Sequence, residues 1–97
     1  MRREDYVFCI GYEGSTAIVD GRMKRRYGHL TTAGLAEAGL FKQAVCSALW
    51  SGSQEELQEV LAIFNTKTVT PARAAEELTR IFGTFGVPEG VRKVTVV

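Results

Sequence analysis

The sequence predicts an α+β domain, and three observations carry that reading. Residues 6–27 contain runs of β-branched and aromatic side chains broken by glycine-containing turns. From Thr31 the apolar spacing changes from a period of about two to one of about 3.6 residues. After Pro88 the alternation returns, with Val94 and Val96 prominent. Strands first, helices next and one strand last give a small, mainly antiparallel sheet: an N-terminal β-meander plus a C-terminal strand, covered on one face by about three amphipathic helices. The 97 residues make a single domain. They divide into a meander over 6–27, helices over 32–86 and a final strand over 91–97.

Tyr6 to Tyr12 reads as the first strand and Thr16 to Val19 as its return, with a turn at Glu13-Gly14. Asp20-Gly21 is a strong hairpin signal. A third strand from Arg22 to Tyr27 would put Arg22, Lys24 and Arg26 in one row and Met23, Arg25 and Tyr27 on the opposite face. Thr32 is expected to cap a short helix ending near Gly39. Phe41, Ala44, Val45, Ala48 and Leu49 keep helical spacing, and Gly52 stops that helix. Ser53 with Glu56 forms a capping box for the next, whose stripe is Leu57, Val60, Leu61 and Phe64. Thr70-Pro71 opens a last helix with proline at its first position. Its stripe is Ala74, Ala75, Leu78, Ile81, Phe82 and Phe85. Leu57, Leu61, Phe64, Leu78 and Phe82 are expected to meet in the core.

The totals exclude several classes. An apolar fraction of 45% and a charged fraction of 24% describe a foldable chain of ordinary composition. The basic start, Arg2-Arg3, is not followed by the apolar region of a signal peptide, and no run reaches the length of a membrane span. Cys9 and Cys46 stand far apart without a CxxC pattern and read as two small buried hydrophobes. The expected location is the cytoplasm.

A search for chemistry yields little. His29 is the single histidine, with no nucleophile or carboxylate placed beside it by sequence. Cys9, His29 and Cys46 match no zinc spacing, so no metal is expected. Gly11-Tyr12-Glu13-Gly14-Ser15 lacks the following helix and lysine of a phosphate loop, and no cofactor is expected. Glu55-Glu56 and Glu76-Glu77 are adjacent on helices, where neighbours point about 100° apart, so neither is a catalytic dyad.

Residues 35–45, Leu-Ala-Glu-Ala-Gly-Leu-Phe-Lys-Gln-Ala-Val, resemble the helix–turn–helix of phage repressors, with the turn glycine one residue early. That resemblance implies base contacts from Lys42, Gln43 and Ser47. The same window, from Gly39, also resembles the Gly-x-Tyr-x-x-Ala turn of tetratricopeptide repeats, in a single copy. What the two likenesses share is an αα-hairpin.

Two functions compete. A non-enzymatic protein-interaction or regulatory module would use off-stripe apolar residues, Leu40, Trp50 and Ile63, for a protein partner or a second copy. A nucleic-acid- or phosphate-binding protein would use the basic stretch 22–29 through Arg22, Lys24, Arg26 and His29. The net charge of +1 is far from that of a strongly basic binder.

Overall fold

The β-prone run that begins at Tyr6 divides between two elements. In the computed structural model, which describes residues 1–84 and 86–97, Tyr6 and Val7 close a short helix α1 (Arg3–Val7) and Cys9 opens strand β1 (Cys9–Glu13). A Gly14-Ser15 turn leads to β2 (Thr16–Val19). Helices α2 (Gly21–Tyr27), α3 (Thr32–Glu37), α4 (Phe41–Ser51), α5 (Gln54–Lys67) and α6 (Ala75–Ile81) follow, and β3 (Lys93–Val96) completes the order.

The fold is α+β with a three-stranded sheet, and the sheet is mixed, not mainly antiparallel. The hairpin β1–β2 is antiparallel, with Tyr12 opposite Ala17 and an irregularity between Cys9 and Gly11. Strand β3 runs parallel to β2, with Ala17 opposite Val94 and Val19 opposite Val96. Parallel neighbours need a long crossover, and here it comprises all the helices from α2 to α6.

The expected third strand of the meander is a helix. Asp20 does not turn a hairpin: its carboxylate accepts from the Met23 N–H at 3.2 Å and caps α2. Gly21 is needed for a different reason. A Cβ there would lie 2.7 Å from Val96 Cγ1 and from the Val97 carbonyl oxygen, and its own N–H donates to that carbonyl at 3.0 Å. Met, Lys and Arg after it are good helix formers, and Arg22 to Arg26 contains no β-branched residue.

The middle of the chain follows its periodicity closely. Thr31, one residue before the expected cap, accepts from the Gly34 N–H, while Thr32 is buried. Gly52 ends α4 in the left-handed conformation at φ 65°. Ser53 caps α5 through the Glu56 N–H, but the Glu56 carboxylate turns to Thr32 instead of completing the box. The last helix begins at Ala75, not at Pro71, and Ala74 is its cap. Residues 68–74 instead form a loop tied down by Asn65, whose side-chain amide exchanges two 2.9 Å hydrogen bonds with the Ala72 backbone.

One core cluster includes Val7, Phe8, Val19, Leu35, Val45, Leu57, Val60 and Leu78. Of the five expected core residues, Leu57 and Leu78 are buried; Leu61, Phe64 and Phe82 are partly buried and pack against the cluster. Phe41, Phe64 and Phe82 form an aromatic triangle with centroid distances of 5.2, 5.8 and 6.3 Å, which locks α4, α5 and the end of α6 together. Phe85, expected on the same stripe, lies outside the described residues.

Asp5 ties α1 to α2. Its carboxylate accepts from Lys24 Nζ at 2.6 Å and from the Arg2 N–H at 2.9 Å. Burial works to raise its pKa. The Lys24 and Arg2 hydrogen bonds, with the charges of Lys24 and the chain's amino group, outweigh burial and leave the pKa below its ordinary 3.8. A depressed carboxylate stabilises the fold above the unfolded value and loses that contribution as pH falls through the folded one. Urea midpoints of the native protein should therefore drop more steeply than those of Asp5→Asn as pH falls below about 4. Parallel curves would show that the pair is not coupled to folding.

Candidate functional site

Helical geometry rearranges the basic stretch. Arg22, Arg25 and Arg26 stand at i, i+3 and i+4 of α2, so they fall on one side; His29 follows just beyond the helix's end, and all four are exposed. Met23 and Tyr27 turn inward against the core. Lys24 leaves the row altogether, because its ammonium is held by Asp5. The expected row of Arg22, Lys24 and Arg26 is thus replaced by one that includes Arg25 and excludes Lys24.

Among the described residues the ion pairs are Arg3–Glu4 and Lys24–Asp5, and neither involves the three arginines of this face. Arg26 lies over the Tyr27 ring, 5.3 Å from its centroid, which restrains its guanidinium without neutralising it. Cations in the last turn of a helix are favoured by the helix dipole, so Arg25 and Arg26 can stay unpaired at little cost. The result is a compact group of uncompensated guanidiniums on a short, well-capped helix.

Arg3, close to the end of α2, has a different task. It turns inward, where Nε and Nη2 donate to Ser47 Oγ at 3.0 and 2.9 Å, Nη2 donates to the Leu30 carbonyl at 2.7 Å and Nη1 to the Gly28 carbonyl at 3.2 Å. Ser47 Oγ is 2.6 Å from Thr32 Oγ1, and Thr32 bonds Glu56 in turn. This chain of polar groups joins α1, the α2–α3 link, α3, α4 and α5. It fixes the end of α2 on the body of the protein. It also removes Ser47 from any base-reading role, since Ser47 is fully buried. The αα-hairpin of α3 and α4 is present, but α4 is a core helix.

Leu40, Trp50 and Ile63 are each partly buried and pack against the core; Trp50 also meets Tyr6, with ring centroids 6.0 Å apart. The strongly exposed large apolar residues include Ile10, Tyr12, Val69 and Ile81.

A second feature was not legible in the sequence. Between β1, α4 and the segment after α6 lies a cavity of about 300 Å³, lined among others by Tyr6, Cys9, Tyr12, Lys42, Cys46 and Thr84. A neighbouring cavity of about 200 Å³ shares Cys9, Ile10, Lys42 and Cys46 with it. Both cysteines are free. Cys9 donates to the Gly11 carbonyl at 3.1 Å. Burial raises the Cys46 thiol above its ordinary pKa, against the opposing pull of Lys42 and of a hydrogen bond from Tyr6. Tyr12 is pushed up to about 12 by burial and by its hydrogen bond with Cys9. Among the described residues, no three His, Cys, Asp or Glu side chains gather as a metal site, and no helix is long and apolar enough to cross a membrane.

Comparison with known proteins returns no matching family model, no matching curated protein and no matching solved structure.

Proposed function

We propose that this chain is a small non-enzymatic interaction module that works in the cytoplasm and docks through the exposed side of α2. Its partner is an anionic polymer, and the phosphate backbone of nucleic acid is the chemistry that guanidinium groups suit best. The observation that carries the reading is the set Arg22, Arg25 and Arg26, exposed together with no carboxylate partner among the described residues. Tyr27 supports the set from below through Arg26, and His29 extends it.

A mixed-sequence duplex should bind at low salt and dissociate as salt rises. Changing Arg22, Arg25 and Arg26 together to Gln should lower the log–log salt slope by roughly 0.9 for each phosphate that is no longer neutralised. Lys24→Gln should leave the slope unchanged, because that ammonium is already occupied by Asp5. A Lys24 effect equal to that of the triple substitution would deny the helical face its role. No binding by the unaltered chain at low salt would remove the nucleic-acid reading.

A second reading, self-association, is favoured by Ile10 and Tyr12, exposed at 64% and 46% on edge strand β1. Solution mass measured in the same titration distinguishes the two. A dimer that persists without oligonucleotide, and that Ile10→Lys dissolves, supports this second reading.

A further inference from the structure

Cys9 and Cys46 lie in different elements, at the start of β1 and in the middle of α4. The fold nevertheless brings both to the walls of the same two adjoining cavities, and Lys42 lines each cavity with them. Cys9 is partly exposed and Cys46 is buried, so Cys9 is the more accessible of the two. Each is accompanied by a tyrosine, Tyr12 at Cys9 and Tyr6 at Cys46. Two thiols on one cavity wall, unequal in access and flanked by a cation, have the parts of an exchange site: an entry thiol, a resolving thiol and a lysine whose charge offsets part of what burial costs the Cys46 thiolate.

We propose that Cys9 and Cys46 form a dithiol that exchanges with low-molecular-weight disulfides such as oxidised glutathione and closes to an intramolecular bridge. In the first step the Cys9 thiolate attacks one sulfur of the disulfide. A Cys9–glutathione bond forms, the glutathione S–S bond breaks, and one glutathione thiolate leaves. In the second step the Cys46 thiolate attacks the Cys9 sulfur. The Cys9–Cys46 bond forms and the second glutathione thiolate leaves. The protons lost by the two protein thiols end on the two glutathione thiolates, so the protein is oxidised by two electrons and the disulfide is reduced by two. Lys42 acts as a positioning residue for the second step, by stabilising the buried Cys46 thiolate. This site does not depend on the binding role of α2.

The test is to incubate the native chain with oxidised glutathione, quench with acid and map the peptides by mass. The expected product is a monomer in which one bridge joins the Cys9 and Cys46 peptides, and reduced glutathione should reopen it. Cys46→Ser should stop at the Cys9–glutathione adduct and accumulate it. Cys9→Ser should react about tenfold more slowly or worse, since the remaining thiol is buried. Lys42→Gln should slow closure without slowing formation of the Cys9 adduct, a split that a merely structural role would not produce. The native chain decides the outcome even if a variant fails to fold. Stable glutathione adducts on both cysteines, or bridges only between separate chains, would overturn the proposal.

Discussion

Arg3→Ala should cost about 3 kcal/mol of folding stability, although the residue reaches the surface. Its guanidinium satisfies Ser47 Oγ and the carbonyls of Gly28 and Leu30 at 2.7–3.2 Å. Removing it takes both guanidinium donors from the fully buried Ser47 hydroxyl, leaving it only Thr32, and one donor from each of two carbonyls. Hydrogen bonds to charged groups contribute about 1.5–3 kcal/mol apiece, and groups in one network do not add, so about 3 is the expected sum. Arg3→Lys should recover little, because one ammonium cannot span the fork that reaches Ser47 and both carbonyls. Urea unfolding reads both variants. A loss below about 1 kcal/mol for Arg3→Ala would mean that water replaces the guanidinium without penalty.

Leu78→Ala should be comparably damaging, at about 2–5 kcal/mol. Leu78 is fully buried in the core cluster against which the aromatic triangle packs. Leu61, which the sequence puts equally deep, is partly buried at the margin of the cluster. Leu61→Ala should therefore cost clearly less. Equal losses at the two positions would contradict the placement of the core. For a domain with roughly 5–15 kcal/mol in total, either Arg3→Ala or Leu78→Ala is a large fraction.

The elements that could be read from the sequence are those whose signals are local. The helices α4 and α5 keep one apolar stripe each, α3 lies between a threonine cap and a glycine, and the β1–β2 hairpin has a glycine turn between two β-prone runs. Residues 20–27 misled because Asp-Gly has two meanings. Aspartate accepts a backbone N–H equally well in a turn or at a helix cap, and glycine serves either a positive φ or a close approach. Here the approach is to Val96 and Val97, far along the chain, which no local window contains. The absence of β-branched residues between Arg22 and Arg26 was the signal that decides for helix. The α2 face was half legible: the charges were visible, but which of them share a side depends on the period. The role of Arg3 and the thiol-lined cavity were invisible for the same reason as the Gly21 contact. Each joins residues whose proximity only the tertiary fold creates.

The parallel pairing of β2 with β3 also sets the order in which the chain can find its structure. Thr16 to Val19 must wait for Lys93 to Val96, so this ladder closes a loop containing nearly every helix. Closure of so long a loop is entropically slow unless the intervening segment is already condensed. The helices α3 to α5, whose contacts are near neighbours in sequence, are the natural first condensate. They shorten the distance that β3 must search. On a ribosome, β2 would meanwhile carry an unpaired edge until the last residues of β3 emerge, and that interval is when the chain is most exposed to pairing with a strand other than its own.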